Sequence, residues 1–204
     1  MLRHTRFLFD LDGVILDTKE IQVESTVQAI FDIEGEKSLD MSLIESTVTT
    51  KDKLRLMAQK GVINQSNIES IYQRKKQLAE SLMLCLDRSS CDDKKKIFDY
   101  ISSQSCKFAI VTNANRETTE LVLGHFGISG FEFLITNDEV KNPKPHSEPY
   151  ILAMLQLGGS ISDYLIFEDS EVGITSARGT GADVFVVANS KLLDLNQFLI
   201  ADSL

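Results

Sequence analysis

"FLFDLDGVILDT", residues 7–18, runs an apolar segment into three aspartates, Asp10, Asp12 and Asp17, around one glycine. Phe7-Leu8-Phe9 has the composition of a buried strand, and Asp12-Gly13 is a turn signal. An ordinary strand end accounts for most of this: Asp12 opens a turn, Gly13 supplies backbone freedom, and Asp17 or Thr18 caps the next helix. Asp10 is left without a structural reason. Side chains two apart in an extended segment share a face, so Asp10 and Asp12 are expected in the same small volume. Like charges that close raise each other's pKa and cost stability unless a cation sits between them. The segment therefore reads as the end of a buried strand that carries chemistry.

The 204 residues suffice for one large domain or for a core with a smaller insert, and 43% hydrophobic residues can bury either. A formal net charge of -9 argues against broad capture of nucleic acid or of an anionic membrane surface. A small anionic substrate would need local cations. Cys85, Cys91 and Cys106 are odd in number and lack zinc-type spacing, so they read as reduced thiols in a cytosol. His4, His125 and His146 also lack ligand spacing. No apolar run reaches the length of a membrane span, and the N-terminus meets charge too early for a signal peptide. The expected location is the cytoplasm.

After Thr18 the apolar period becomes helical. Val23, Val27, Ile30 and Phe31 recur at that spacing, as do Leu54 with Met57, and Ile68, Ile71, Tyr72, Ala79 and Leu82. Breaks fall at 34–37, near Thr49-Thr50, and at 60–67. Residues 18–88 thus form an expected all-helical unit of about four helices. From residue 92 helices and strands alternate. Strands are expected at 107–112, 131–136, 164–167 and 183–188, with helices near 116–126, 148–157, 171–179 and 190–200. Lys94, Lys95 and Lys96 are expected on a solvated helix face. Apolar strands separated by amphipathic helices imply a parallel sheet covered on both sides. The fold class is α/β: a doubly wound, Rossmann-like core, residues 1–17 and 89–204, with the helical unit 18–88 inserted after the first strand. No internal repeat is present.

Open parallel sheets bind ligands at the carboxyl ends of their strands. The residues there are Asp10, Asp12 and Gly13; then Thr112, Asn113, Ala114 and Asn115; then "NDEVKNPKPHSEP"; then Glu168, Asp169 and Ser170. Four segments, "DLDGVILDT", "VTNAN", "KPHSEPY" and "IFEDSEVGI", carry a resemblance over nearly the whole chain to the haloacid dehalogenase superfamily of phosphohydrolases. Within it the sequence is similar to the subgroup of beta-phosphoglucomutase and small sugar phosphatases.

The resemblance implies roles. Asp10 matches the nucleophile that attacks phosphorus and forms an aspartyl phosphate. Asp12 matches the general acid and base. Dehalogenases of the superfamily generally lack the second aspartate, so Asp12 counts against carbon–halogen cleavage. Mg2+ would meet Asp10, the backbone carbonyl of Asp12, and Asp169, with Glu168 as a ligand or as a partner of one. Thr112 and Asn113 match the phosphate-binding hydroxyl and backbone amide, and Lys144 the cation that balances Asp10 and the phosphoryl oxygens. Lys141, His146 and Arg178 are expected to have no catalytic part. Ser147 departs from the proline often found there. The helical unit matches a cap that closes over the site and sets substrate choice.

Two features separate hydrolysis from mutase chemistry. The mutase has a histidine four positions after the hinge Asp-Thr, where this chain has Gln22. Its cap carries an arginine, in an R-x-x-S-L pattern, that grips a second phosphate; the counterpart here is "TKDKL", 50–54, with Thr50 in the arginine's place and Lys53 in the serine's. Lys51 or Lys53 offers a cation without a bidentate grip. The expected function is an Mg-dependent phosphatase acting on a small phosphorylated metabolite, with a phosphosugar mutase as the alternative. A silent binding domain would have lost one of Asp10, Asp12, Lys144 or Asp169, and all are present. A monomer is expected.

Overall fold

The computed structural model describes residues 2–46 and 48–203. The chain divides into two compact units, Met1–Asp17 with Asp87–Leu204, and Thr18–Leu86.

In the first unit, β1 (Arg6–Phe9), β2 (Lys107–Val111), β3 (Leu134–Ile135), β4 (Tyr164–Glu168) and β5 (Asp183–Val186) form one sheet in the order β3-β2-β1-β4-β5. All neighbours pair in parallel. The first strand of the chain thus occupies the centre. Both of its faces are covered, which is why Phe7, Leu8 and Phe9 are all apolar and all buried.

The second unit contains α1 (Lys19–Glu34), α2 (Met41–Glu45), α3 (Thr50–Gln59) and α4 (Ile68–Leu84). Its core gathers Ala29 and Ile30 of α1, Ile44 of α2, Leu54 and Met57 of α3, and Ile71 of α4 with the loop residue Ile63. Gly35 closes α1 at φ 75, a conformation that suits glycine. The Glu34 carboxylate accepts bonds from the Asn64 amide at 2.8 Å and from Asn67 Nδ2 at 2.9 Å, tying the 60–67 break to the end of α1.

Five helices belong to the first unit: α5 (Asp92–Ser103), α6 (Arg116–Phe126), α7 (Glu148–Leu157), α8 (Glu171–Arg178) and α9 (Leu195–Ser203). Strand alternation sends Leu8, Ala109, Val111 and Ile166 to one face, where they pack with Tyr150, Ala153 and Leu157 of α7 and Ala177 of α8. The other face is aromatic. Phe9 stacks on Phe167 at 4.7 Å between centroids, Phe98 of α5 stacks on Phe108 at 4.5 Å, and Phe198 of α9 meets Phe7 at 5.0 Å. Each such pair adds about 1 kcal/mol beyond its buried area.

Three expectations change. The strand expected at 131–136 keeps only Leu134–Ile135 in the ladder, at a sheet edge with a single neighbour. The helix expected at 190–200 is broken into a 3-10 turn, Ser190–Leu192, and α9, because Asp194 restarts it: its carboxylate accepts the Gln197 amide at 2.8 Å as an N-cap. Lys94 is not solvated. It shares the inner face of α5 with Ile97, Phe98 and Ile101, is 3% exposed, and donates to the Ser190 carbonyl. Lys95 and Lys96 lie outside and pair with Asp92 at 3.0 Å and Asp93 at 2.8 Å.

Candidate active site

Strand register assembles the acidic group. Leu8 stands beside Ile166 and Phe9 beside Phe167, and the Asp10 amide continues the pairing to the Phe167 carbonyl at 3.0 Å. The next position on the Leu8 and Ile166 face is therefore Asp10 on one strand and Glu168 on the other, two carboxylates side by side. Asp10 is 7% exposed and Glu168 is 0% exposed.

Lys144 makes that arrangement possible. Its ammonium, 3% exposed, donates to Asp10 Oδ1 at 2.8 Å, to Glu168 Oε1 at 2.6 Å and to the Val111 carbonyl at 2.8 Å, using all three protons. Burial pulls its pKa down, but the charges of Asp10 and Glu168 outweigh that and hold it above the ordinary lysine value. Asp10 is pushed well above the usual carboxylate range, by burial first and then by Glu168, against the pull of Lys144. The Asp12 charge adds to the same push. Asp169 rises to about 6 through burial and the charges of Glu168 and Asp12.

The Lys144 ammonium thus contacts Asp10 and Glu168, while Asp12 and Asp169 add negative charge beside them, and the surplus raises Asp10 and Asp169. Donor oxygens of Asp10, Glu168 and Asp169 lie within 4.8 Å of one another. A hard divalent cation such as Mg2+ fits this donor set, being held by one or two carboxylates with water and substrate oxygens completing its shell. Gly13 lets the chain approach closely. Its φ is 84, and a Cβ there would lie 2.1 Å from Asp169 Oδ2.

The remaining predicted residues take particular places. Thr112, 2% exposed at the end of β2, accepts the Ala114 amide at 3.0 Å through its hydroxyl. Asn113, expected to act through its backbone amide, also works through its side chain: Nδ2 donates to the Lys144 carbonyl at 3.1 Å and Oδ1 accepts the Lys144 amide at 3.1 Å. Asp17 stands apart, exposed and paired with Lys191 at 2.8 Å. His146 is an exposed loop residue whose Nδ1 accepts the Glu148 amide at 3.1 Å.

Sequence reasoning assigned no role to Tyr150, although "KPHSEPY" contains it. From α7 its hydroxyl donates to Glu168 Oε1 at 2.6 Å. It also missed Gly173, whose missing side chain makes room for Glu168: a Cβ there would lie 2.0 Å from Oε2. The available signal was the placement of Tyr150 in the first turn of the helix after Lys144; nothing local named its partner.

In the second unit, Lys75 donates to the Gln22 side-chain oxygen, so the position that is histidine in the mutases holds an amide engaged by a lysine. Lys51 pairs with Glu69 at 3.1 Å and lies over the Tyr72 ring. Lys53 is half-buried and donates to the Ile44 carbonyl at 2.5 Å. Burial and the neighbouring charge of Lys75 lower its pKa to about 8.

The chain is 23% identical over 187 residues to the fructose-1-phosphate phosphatase YqaB of Escherichia coli, covering 89% of this chain and 95% of that protein. It is 23% identical over 180 residues to a phosphorylated carbohydrates phosphatase of Thermotoga maritima, covering 86% and 81%. The fold superposes on the crystal structure of beta-phosphoglucomutase from Clostridium difficile with a TM-score of 0.80 at 19% identity, over 100% of this chain and 98% of that one. The family model for haloacid dehalogenase-like hydrolases matches residues 7–187, and the chain belongs to that family.

Proposed function

We propose that the protein is a magnesium-dependent phosphatase that hydrolyses a small phosphomonoester, a sugar phosphate, through an aspartyl-phosphate intermediate. The observation that carries this reading is the buried Lys144 ammonium bridging Asp10 and Glu168 beside Asp169. Relatives named as phosphatases of fructose 1-phosphate and of phosphorylated carbohydrates support the substrate class.

The Asp10 and Asp169 carboxylates and the Asp12 carbonyl would hold Mg2+, which would supply positive charge to offset repulsion between Asp10 and a phosphate dianion. Asp10 attacks phosphorus, the bond from phosphorus to the substrate alkoxide breaks, and Asp12 gives that oxygen a proton. Water then loses a proton to Asp12 as it attacks the acyl phosphate, which releases inorganic phosphate and restores Asp10. The Thr112 hydroxyl and the Asn113 backbone amide hold the phosphoryl oxygens through both steps, while the Lys144 charge balances Asp10 and those oxygens. The helical unit acts as the cap that chooses the alcohol. Gln22 cannot exchange a proton as a histidine would, which favours hydrolysis over mutase chemistry.

The test is phosphate release from a panel of sugar phosphates, with Mg2+ and with chelator, in wild type and Asp10→Asn. Release that requires both the metal and Asp10 is expected. Equal rates in all four conditions would refute the proposal, and glucose 6-phosphate formed from beta-glucose 1-phosphate without free phosphate would establish the mutase instead.

A further inference from the structure

The Glu168 carboxylate makes four contacts. Oε1 accepts the Lys144 ammonium at 2.6 Å and the Tyr150 hydroxyl at 2.6 Å, and Oε2 accepts the Asp169 amide at 3.2 Å and, at 3.4 Å, the Ser170 hydroxyl. A carboxylate has about four acceptor sites, so this one is fully used. It is also wedged against Gly173, where a Cβ would lie 2.0 Å from Oε2. Asp10, by contrast, gives only Oδ1 to Lys144.

We propose that Glu168 is the fixed counter-ion of Lys144 and not a metal ligand, and that Tyr150 is the positioning residue that holds it in that role. The inference rests on the reading of the site as magnesium-dependent phosphoryl transfer. It divides the acidic group by task. Asp10 and Asp169 keep oxygens for the cation, while Glu168 anchors the ammonium from below. Tyr150 suits this work because its hydroxyl, on a fully buried ring, donates to the same Glu168 oxygen that receives the Lys144 ammonium. Without that donor Glu168 shares one oxygen with Lys144 alone and can draw the ammonium away from Asp10.

Tyr150→Phe removes the hydroxyl and keeps shape and charge, so it separates the two roles. The probe for the metal is Mn2+ alone, followed by electron paramagnetic resonance; the probe for turnover is p-nitrophenyl phosphate. The variant is expected to bind Mn2+ within about threefold of wild type, while kcat falls about tenfold and KM stays within about threefold, the size of one lost bond to a charged group. A rise of about tenfold or more in the Mn2+ dissociation constant would overturn the proposal, because that is the effect of losing the group that orients a metal ligand. An unchanged kcat would overturn it as well. If wild type proves inactive on every phosphomonoester, the phosphatase reading has failed, and the Mn2+ comparison still decides the place of Glu168. A melting temperature within a few degrees of wild type confirms that the variant is folded.

Discussion

The side-chain amide of Asn113 and the backbone of Lys144 form a reciprocal pair of hydrogen bonds, each 3.1 Å long, across 31 residues of chain. The pair docks the loop after β3 onto the end of β2, and so aims the Lys144 ammonium at Asp10. Asn113→Ala removes both bonds and Asn113→Asp turns an acceptor toward the Lys144 carbonyl. Either change is expected to lower kcat/KM for phosphomonoester hydrolysis by about tenfold or more, at about 1 kcal/mol per bond. Unchanged kinetics in both variants would show that the loop is held by other contacts.

Gly173→Ala places a methyl group 2.0 Å from Oε2 of a carboxylate that four bonds hold in place. Overpacking of this kind costs about 1–3 kcal/mol, read as a lower urea midpoint. Gly124→Ala on α6 is the comparison, since nothing lies within 4 Å of its Cβ. A gain of about 0.5–1 kcal/mol is expected there from helix propensity. Equal effects at the two positions would argue against the wedge.

Lys53 provides a pH dependence. Its pKa falls from 10.5 to about 8 in the fold. Between those values the unfolded chain binds more protons than the folded one, so stability rises with pH across the window. Below about pH 8 the charged amine is a liability in the fold. Lys53→Met is expected to raise the melting temperature at pH 7, with the gain shrinking between pH 8 and 10.5 to a constant remainder. A gain that stays the same from pH 7 to 11 would refute the assignment.

His4 joins the ends of the chain. Nδ1 lies 2.9 Å from Asp202 Oδ1 and Nε2 lies 3.0 Å from Asp183 Oδ2, with the imidazole 1% exposed. Asp202 is buried, whereas Asp183 is half-exposed and screened by solvent. His4→Ala is expected to cost about 2 kcal/mol in urea denaturation, because Asp202 stays buried with only backbone amides as donors. Asp183→Asn should cost under about 0.5 kcal/mol; a larger loss there than at His4 would reverse this ranking.

Much of the fold is local and could be read directly. The apolar run at Phe7 to Phe9, the helical spacing after Thr18 and the turn signals at Gly13 and Gly35 follow from steric preference and from the burial each period requires. The parallel class followed from alternation, and strand ends then named Asp10, Asp12, Thr112, Asn113 and Asp169 as the residues to watch. What stayed hidden depends on partners far apart in the chain. The same lysine triplet gives one buried and two outer side chains because α5 turns Lys94 toward Ser190, 96 residues away. Lys144 reaches Asp10 across 134 residues, and Tyr150 reaches Glu168 across 18. The amino-acid sequence by itself determined which carboxylates gather at the strand ends. Only the tertiary structure decided which of them the buried Lys144 ammonium contacts, because Lys144 and Tyr150 meet Glu168 only once segments distant in the chain have packed against the sheet.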